Sequence, residues 1–262
     1  MMRIASWGHA AFAAVLIALG IQGLITGDFT AIWQPVPKSL PAREALAYLC
    51  AIVSLTSGVG LLLKPIATAA ARLLLASLLI WNVPLRVPAI AQHPADLLAW
   101  YGLAEPAVII AGAWVLYAWF AGDWDRQHLG FAVGESGLRI ARVIFGLCLI
   151  PFGIAHFAYL ERTSSMVPGY LPAHLFWAKF FGVTFIAAGA GIALGVFARL
   201  AASLVALQIG MFATLVWQSS LAAGTMKPFD WIEFTGSVAI AAGGWVVADS
   251  YRNAPWLAVG KR

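Results

Sequence analysis

Charge is what this sequence has least of. Of its 262 residues only 10% are charged while 62% are hydrophobic, and mean hydropathy is +0.86. A soluble domain carries roughly 25% charged residues, so this chain cannot cover a globule with polar surface. Its solvent is lipid. Cysteine is nearly absent too: Cys50 and Cys148 stand inside apolar runs and form no CxxC. That spacing argues against a disulfide framework or a thiol-exchange site. No glycine-rich phosphate loop and no G-x-S-x-G elbow occurs. The histidines, at 9, 93, 128, 156 and 174, are scattered. Only His156 and His174 fall close enough across one loop to meet, so neither a metal site nor a bis-histidine haem is expected.

What the chain does have is long apolar runs, such as AAFAAVLIALGIQGLIT from Ala10 and EPAVIIAGAWVLYAWFAG from Glu105. Crossing ~30 Å of hydrocarbon takes about 20 apolar residues in helix, because backbone groups must be satisfied within the segment. Eight spans are expected, over 8–26, 44–63, 66–90, 99–120, 139–160, 174–195, 198–219 and 231–249. The runs are continuous rather than alternating, which argues against a β-barrel. The first run, behind Arg3, has the outline of a secretory signal. It is expected to be retained as a span, because it has a counterpart at Arg139–Leu160.

The formal charge of +5 suggests nucleic acid in a soluble protein, but not here. With both termini cytoplasmic, that side collects Arg3, Lys64, Arg72, Arg126, Arg139, Arg142, Arg199, Arg252, Lys261 and Arg262. The other side collects Lys38, Arg43, Arg86, Arg162, Lys179 and Lys227. This is a positive-inside bias, and a multi-pass protein of the cell (inner) membrane is expected.

The phrase VPKSLPA from Val36 returns as VPGYLPA from Val167, 131 positions later. At the same offset Gly58 falls on Gly189, Gly60 on Gly191, Trp100 on Trp231, Gly112 on Gly243 and Trp114 on Trp245. Nearer the start the offset becomes 133, placing Gly20 on Gly153. The expected architecture is therefore all-α, eight transmembrane helices as two parallel four-helix repeats, 1–131 and 132–262. Four is even, so both units cross in the same sense, about an axis along the membrane normal. In each VPxxLPA the prolines fix φ and remove amide donors, giving a stiff re-entry into the next helix. The paired glycines fit close helix packing.

The segment GIAHFAYLERTSSMVPGYLPAHLFWAKFFGVTFIAAGAGIALG from Gly153, with Gly-x-x-His-Phe, then Val-Pro-x-x-Leu-Pro, then Trp, then a glycine-bearing apolar helix, resembles the DoxX-like family of small four-helix membrane proteins. The first half carries VPKSLPA and the glycines, but Gly23 stands where His156 does. Taken over the chain as a tandem pair, the resemblance implies links to thiosulfate:quinone oxidoreductase and to membrane complexes that handle oxidative stress.

Ionisable groups within lipid are costly and point to function. His156 and Glu161 end the fifth expected span, His174, Trp177 and Lys179 begin the sixth, Gln218 ends the seventh, and Trp231 and Glu233 open the eighth. Packed as a bundle, they are expected to form a ligand pocket beneath VPGYLPA. The plainer alternatives are a histidine bonded to a carbonyl, a snorkelling lysine and a tryptophan belt. Glu105 stands deeper and needs a partner, for which Arg86 and Arg43 are placed. A quinone suits such a pocket, held by His156, Lys179 or Gln218. The expected function is a membrane subunit or accessory of a quinone-linked or oxidative-stress redox system, not a stand-alone enzyme. Its expected partners are the lipid bilayer and a redox protein. The alternatives are a small-molecule transporter and a structural scaffold.

Overall fold

The computed structural model describes residues 4–260, so Arg3, Lys261 and Arg262 of the charge bias lie outside the described residues. The chain runs through α1 (Trp7–Thr26), α2 (Arg43–Leu62), α3 (Ala67–Gln92), α4 (Leu97–Phe120), α5 (Asp123–His128), α6 (Gly134–Ala158), α7 (Leu160–Ser165), α8 (His174–Leu194), α9 (Ala198–Leu215), α10 (Gln218–Ala222) and α11 (Pro228–Ser250). Eight of these helices, with α9 running on through α10, are long and apolar enough to cross a membrane. The protein is thus an all-α, polytopic membrane protein. Two spans begin earlier than hydropathy places them. Gly134, at φ +57, turns the chain into α6 before Arg139. Pro228 and Asp230 start α11 before Trp231, the Asp230 carboxylate accepting from the Lys227 amide at 2.9 Å.

Both proline phrases end the same way. Ala42 and Ala173, the last residue of each, take left-handed conformations at φ 51 and 57, and each is the N-cap of the helix that follows. A left-handed alanine costs about 1–2 kcal/mol, so the preceding prolines and the helix start hold it there. Before the phrases the two halves differ. In the first, Phe29, Ile32 and Trp33 are buried. The Trp33 indole donates to Ser54 Oγ at 2.9 Å, and the Trp81 indole donates to the Trp33 carbonyl at 3.0 Å. In the second, α7 buries no side chain. Phe185, which stands 131 positions after Ser54, is instead buried from within α8. One half fills its core from a loop, the other from a helix.

The long helices pack in a ring in chain order, with α11 returning against α1, and α4 and α11 touch across the middle. Two lobes therefore share one wall. Some 78% of α4's most apolar window is buried, against 22–44% for the other spans. Glycine sets the contacts. A Cβ on Gly112 would lie 2.8 Å from Gly243 Cα, so these two backbones touch. Gly20 lies on Leu55 and Gly153 on Ile186, while Gly58 lies on Ile17 and Gly189 on Ile150. Lipid gives helices no hydrophobic reason to associate, so such close backbone approach carries the packing.

At the end of the bundle that holds both ends of the described chain, polar groups lock the short connection after α4. Asp125 has no exposed side-chain surface. It accepts from Arg72 Nη2 at 2.9 Å, the Tyr117 hydroxyl at 2.8 Å and the Gly122 amide at 2.9 Å. Burial alone would raise its pKa, but these donors hold it below the ordinary carboxylate range. Arg142 donates to Ser250 Oγ at 3.0 Å, and Asp249 accepts from the Gly8 amide at 2.8 Å. Both ends of the described chain are thereby tied to one face.

Two outcomes are expected. Gly112→Leu lowers the thermal unfolding midpoint in detergent, by overpacking worth about 1–3 kcal/mol or more. Gly210→Leu, where nothing lies within 4 Å of the added Cβ, leaves the midpoint close to wild type. For Asp125, depression of the folded pKa means a stability contribution present above its unfolded value, about 3.9, and lost as pH falls through the lower folded value. Acid denaturation as pH falls below about 4 should be steeper in wild type than in Asp125→Asn.

Candidate functional site

The opposite end of the bundle, called here the proline end, carries both VPxxLPA connections and most of the expected site residues. Its polar centre is on α4. Tyr101 and Glu105, one turn apart and both half-buried, lie close enough to interact. Glu105 also interacts with Glu233 of α11 and with the guanidinium of Arg86 on α3. Arg162, from α7, approaches Tyr101 and Glu233. Two carboxylates on the shared wall are therefore flanked by one arginine from each lobe. Arg86 is near enough to act on Glu105 electrostatically, but the two form no ion pair within 4.0 Å. Arg43 is engaged elsewhere, 2.7 Å from Asp28.

Aromatic rings extend this centre into the second lobe. The Tyr101 ring lies 5.2 Å from Phe152, Phe152 lies 5.8 Å from Phe185, and His156 lies 5.4 Å from Phe185. His156 Nδ1 is 2.8 Å from the Phe152 carbonyl. A carbonyl only accepts, so Nδ1 carries the proton and a neutral ring keeps Nε2 as an acceptor. On the helix that completes the lobe, Gln208 Nε2 and, just beyond it, Trp217 Nε1 are buried donors with no partner among the described residues. Gln208 Oε1 is satisfied by the Thr184 hydroxyl at 2.7 Å. Buried donors left unpaired are uncommon, and each costs about 1–3 kcal/mol.

The other expected residues stand apart from this centre. Lys179 and Glu161 are exposed, Glu161 on the separate helix α7 rather than at the end of the fifth span. Gln218 is exposed on α10 and donates to the Tyr170 hydroxyl at 2.8 Å. Trp177 packs among Phe176, Phe180 and Phe181 along α8. Trp231 is 39% exposed and packs on Phe234. His174 is the half-buried first residue of α8. The cation near Glu233 is Arg162 rather than Lys179. Tyr101, Phe152, Phe185 and Arg162 were missed from sequence. The i, i+4 spacing of Tyr101 to Glu105 was the signal available for the first of them.

An open hollow of about 280 Å³ lies between the ends of α3 and α4, lined by Arg86, His93, Asp96 and Gly102 among others. A smaller one of about 180 Å³ lies between α1 and α11, lined by Val15, Leu19, Gln22, Phe234 and Val238 among others. Neither lies beneath VPGYLPA, where the pocket was expected.

Comparison with protein-family models, curated proteins and solved structures returns no match.

The half-buried and exposed groups should separate by mutation. Lys179→Ala and Glu161→Ala are expected to leave the unfolding midpoint in detergent unchanged. Glu105→Ala, which strips Tyr101 and Arg86 of a shared partner, should lower it by an amount corresponding to about 1–3 kcal/mol. Thermal scans of the three variants side by side check this, and equal effects would contradict it.

Proposed function

We propose that this protein is a membrane-embedded binding subunit for a ring-bearing amphiphile of the quinone class, held at the proline end of the second lobe and serving a redox partner. One observation carries the reading: the Tyr101–Glu105 pair on the shared wall adjoins the Phe152, Phe185 and His156 rings within the apolar span. A quinone carbonyl accepts a hydrogen bond, for which the Tyr101 hydroxyl turns its one proton from Glu105 to the ligand, while the quinone ring packs on phenylalanine faces. Ligand sites of this kind are mostly apolar with a few convergent polar groups. Lys179 and Gln218 drop out of the ligand set because both are exposed.

The redox partner follows from the DoxX-like resemblance and is part of the proposal. A transporter has less support. The ionisable cluster at the proline end and the Asp125 lock at the other end are separated by the Gly112–Gly243 contact, where two backbones leave no room for a polar path.

The test is purification in mild detergent followed by solvent extraction and chromatography for bound quinone. Wild type and Lys179→Ala should retain equal amounts. Tyr101→Phe combined with Glu105→Gln should retain several-fold less, each lost hydrogen bond being worth about 0.5–1.5 kcal/mol. Equal occupancy in all three would remove α4 from the site.

A further inference from the structure

The hollow between α3 and α4 lies on the first-lobe side, away from the aromatic rings of the second. We propose that it is a lipid headgroup site selective for phosphoethanolamine, a role that does not depend on the quinone reading.

Its shape follows from proline. Pro84 and Pro88 interrupt α3 in the half that lines the hollow, and Pro106 interrupts α4. Each lacks an amide, so the carbonyls of Ile80, Pro84 and Gly102 lose their helical donors. Gly102 adds no side chain, and a Cβ there would lie 3.5 Å from Arg86 Nη1. The two helices therefore leave a gap of about 280 Å³ beneath the turn that joins them. Pockets for drug-sized ligands run from about 300 Å³ upward, so this one is sized for a headgroup rather than a whole amphiphile.

Its chemistry is two-signed. Arg86 supplies a guanidinium whose Nη2 is anchored on the Gln34 carbonyl and whose buried Nε has no partner. His93, at the rim, adds a second donor. Facing them on the α4 side, Asp96 spends Oδ1 on the Leu98 amide at 2.9 Å and keeps its other oxygen. A phosphodiester suits Arg86 and His93. An ammonium suits Asp96 and the Gly102 carbonyl that Pro106 leaves free. A headgroup carrying both charges matches the lining, whereas phosphatidylglycerol leaves Asp96 facing an anion. The depth also fits: Trp100 is 42% exposed, with its indole donating to the Pro94 carbonyl at 2.9 Å, and tryptophan concentrates where headgroups begin.

The experiment is native mass spectrometry of the delipidated full chain, offered equal amounts of phosphatidylethanolamine and phosphatidylglycerol with matched acyl chains. Wild type should favour phosphatidylethanolamine by about two- to fivefold, the range of a partly exposed charge pair. Asp96→Asn, which keeps the helix cap, should erase the preference without reducing phosphatidylglycerol binding. His93→Gln should weaken both lipids. Arg86→Gln should weaken both further, but Arg86 also holds the loop at Gln34, so Asp96→Asn carries the decision. Soluble O-phosphoethanolamine at the same concentration should not displace the lipid. Equal retention of the two lipids by wild type, or an unchanged ratio in Asp96→Asn, overturns the proposal. Displacement by the soluble headgroup overturns it in favour of a solute site.

Discussion

Two glycines without side chains, Gly112 and Gly243, let α4 and α11 meet backbone to backbone, and the rest of the bundle is arranged around that contact. In lipid, association cannot draw on the hydrophobic effect between helices, so it depends on how closely backbones approach and how well side chains interlock. Because this contact joins positions 131 apart, each half presents the same surface to the other, as in an isologous interface. The consequence is that α4 and α11 belong to both lobes. Neither lobe is closed by its own four helices: α1 packs on α11, and α6 packs on α4.

The polar groups follow from this arrangement. Where the shared wall reaches the terminal face, Asp125 gathers Arg72, Tyr117 and Gly122 into a satisfied network. At the proline end the wall carries Glu105, Tyr101 and Glu233, whose partners are fewer and come from both lobes. The first kind of cluster stabilises a connection. The second, on the proposed reading, leaves hydrogen-bonding capacity for a bound ligand. The two halves have also diverged in how they fill space. Trp33 enters from a loop over the small Ser54, while Phe185 fills from α8 beside His156. The histidine therefore sits in a ring-lined setting that the first half lacks.

Much of the fold was legible in the sequence, because hydrophobic run length and proline or glycine spacing are local signals that lipid enforces. The eight spans were placed to within a few residues at most ends, and the offset of 131 reappears in which glycines meet which helices. The site was less legible. Helix α8 is apolar nearly all round, so nothing in its pattern shows which face turns inward. Ala178 is buried while its neighbour Lys179 is exposed, and that phase is set by tertiary packing alone. Glu105 and Arg86 were singled out from sequence because both are ionisable and lie toward the same end. Tyr101 and Arg162 were not, since one reads as a belt aromatic and the other lies in a loop whose fold hydropathy does not determine.

The interlocked wall is the central claim, and a crosslink tests it most directly. In a chain with Cys50 and Cys148 replaced by alanine, cysteines at Val15 and Val238 face the same hollow between α1 and α11. Cysteines at Val15 and Ala107 place the second thiol 131 residues earlier, on α4. With a short bifunctional thiol reagent and peptide mass spectrometry, the first pair should link and the second should not. Linkage of Val15 to Ala107 in place of Val238 would mean that each half closes on itself as an independent four-helix bundle, contradicting the shared wall.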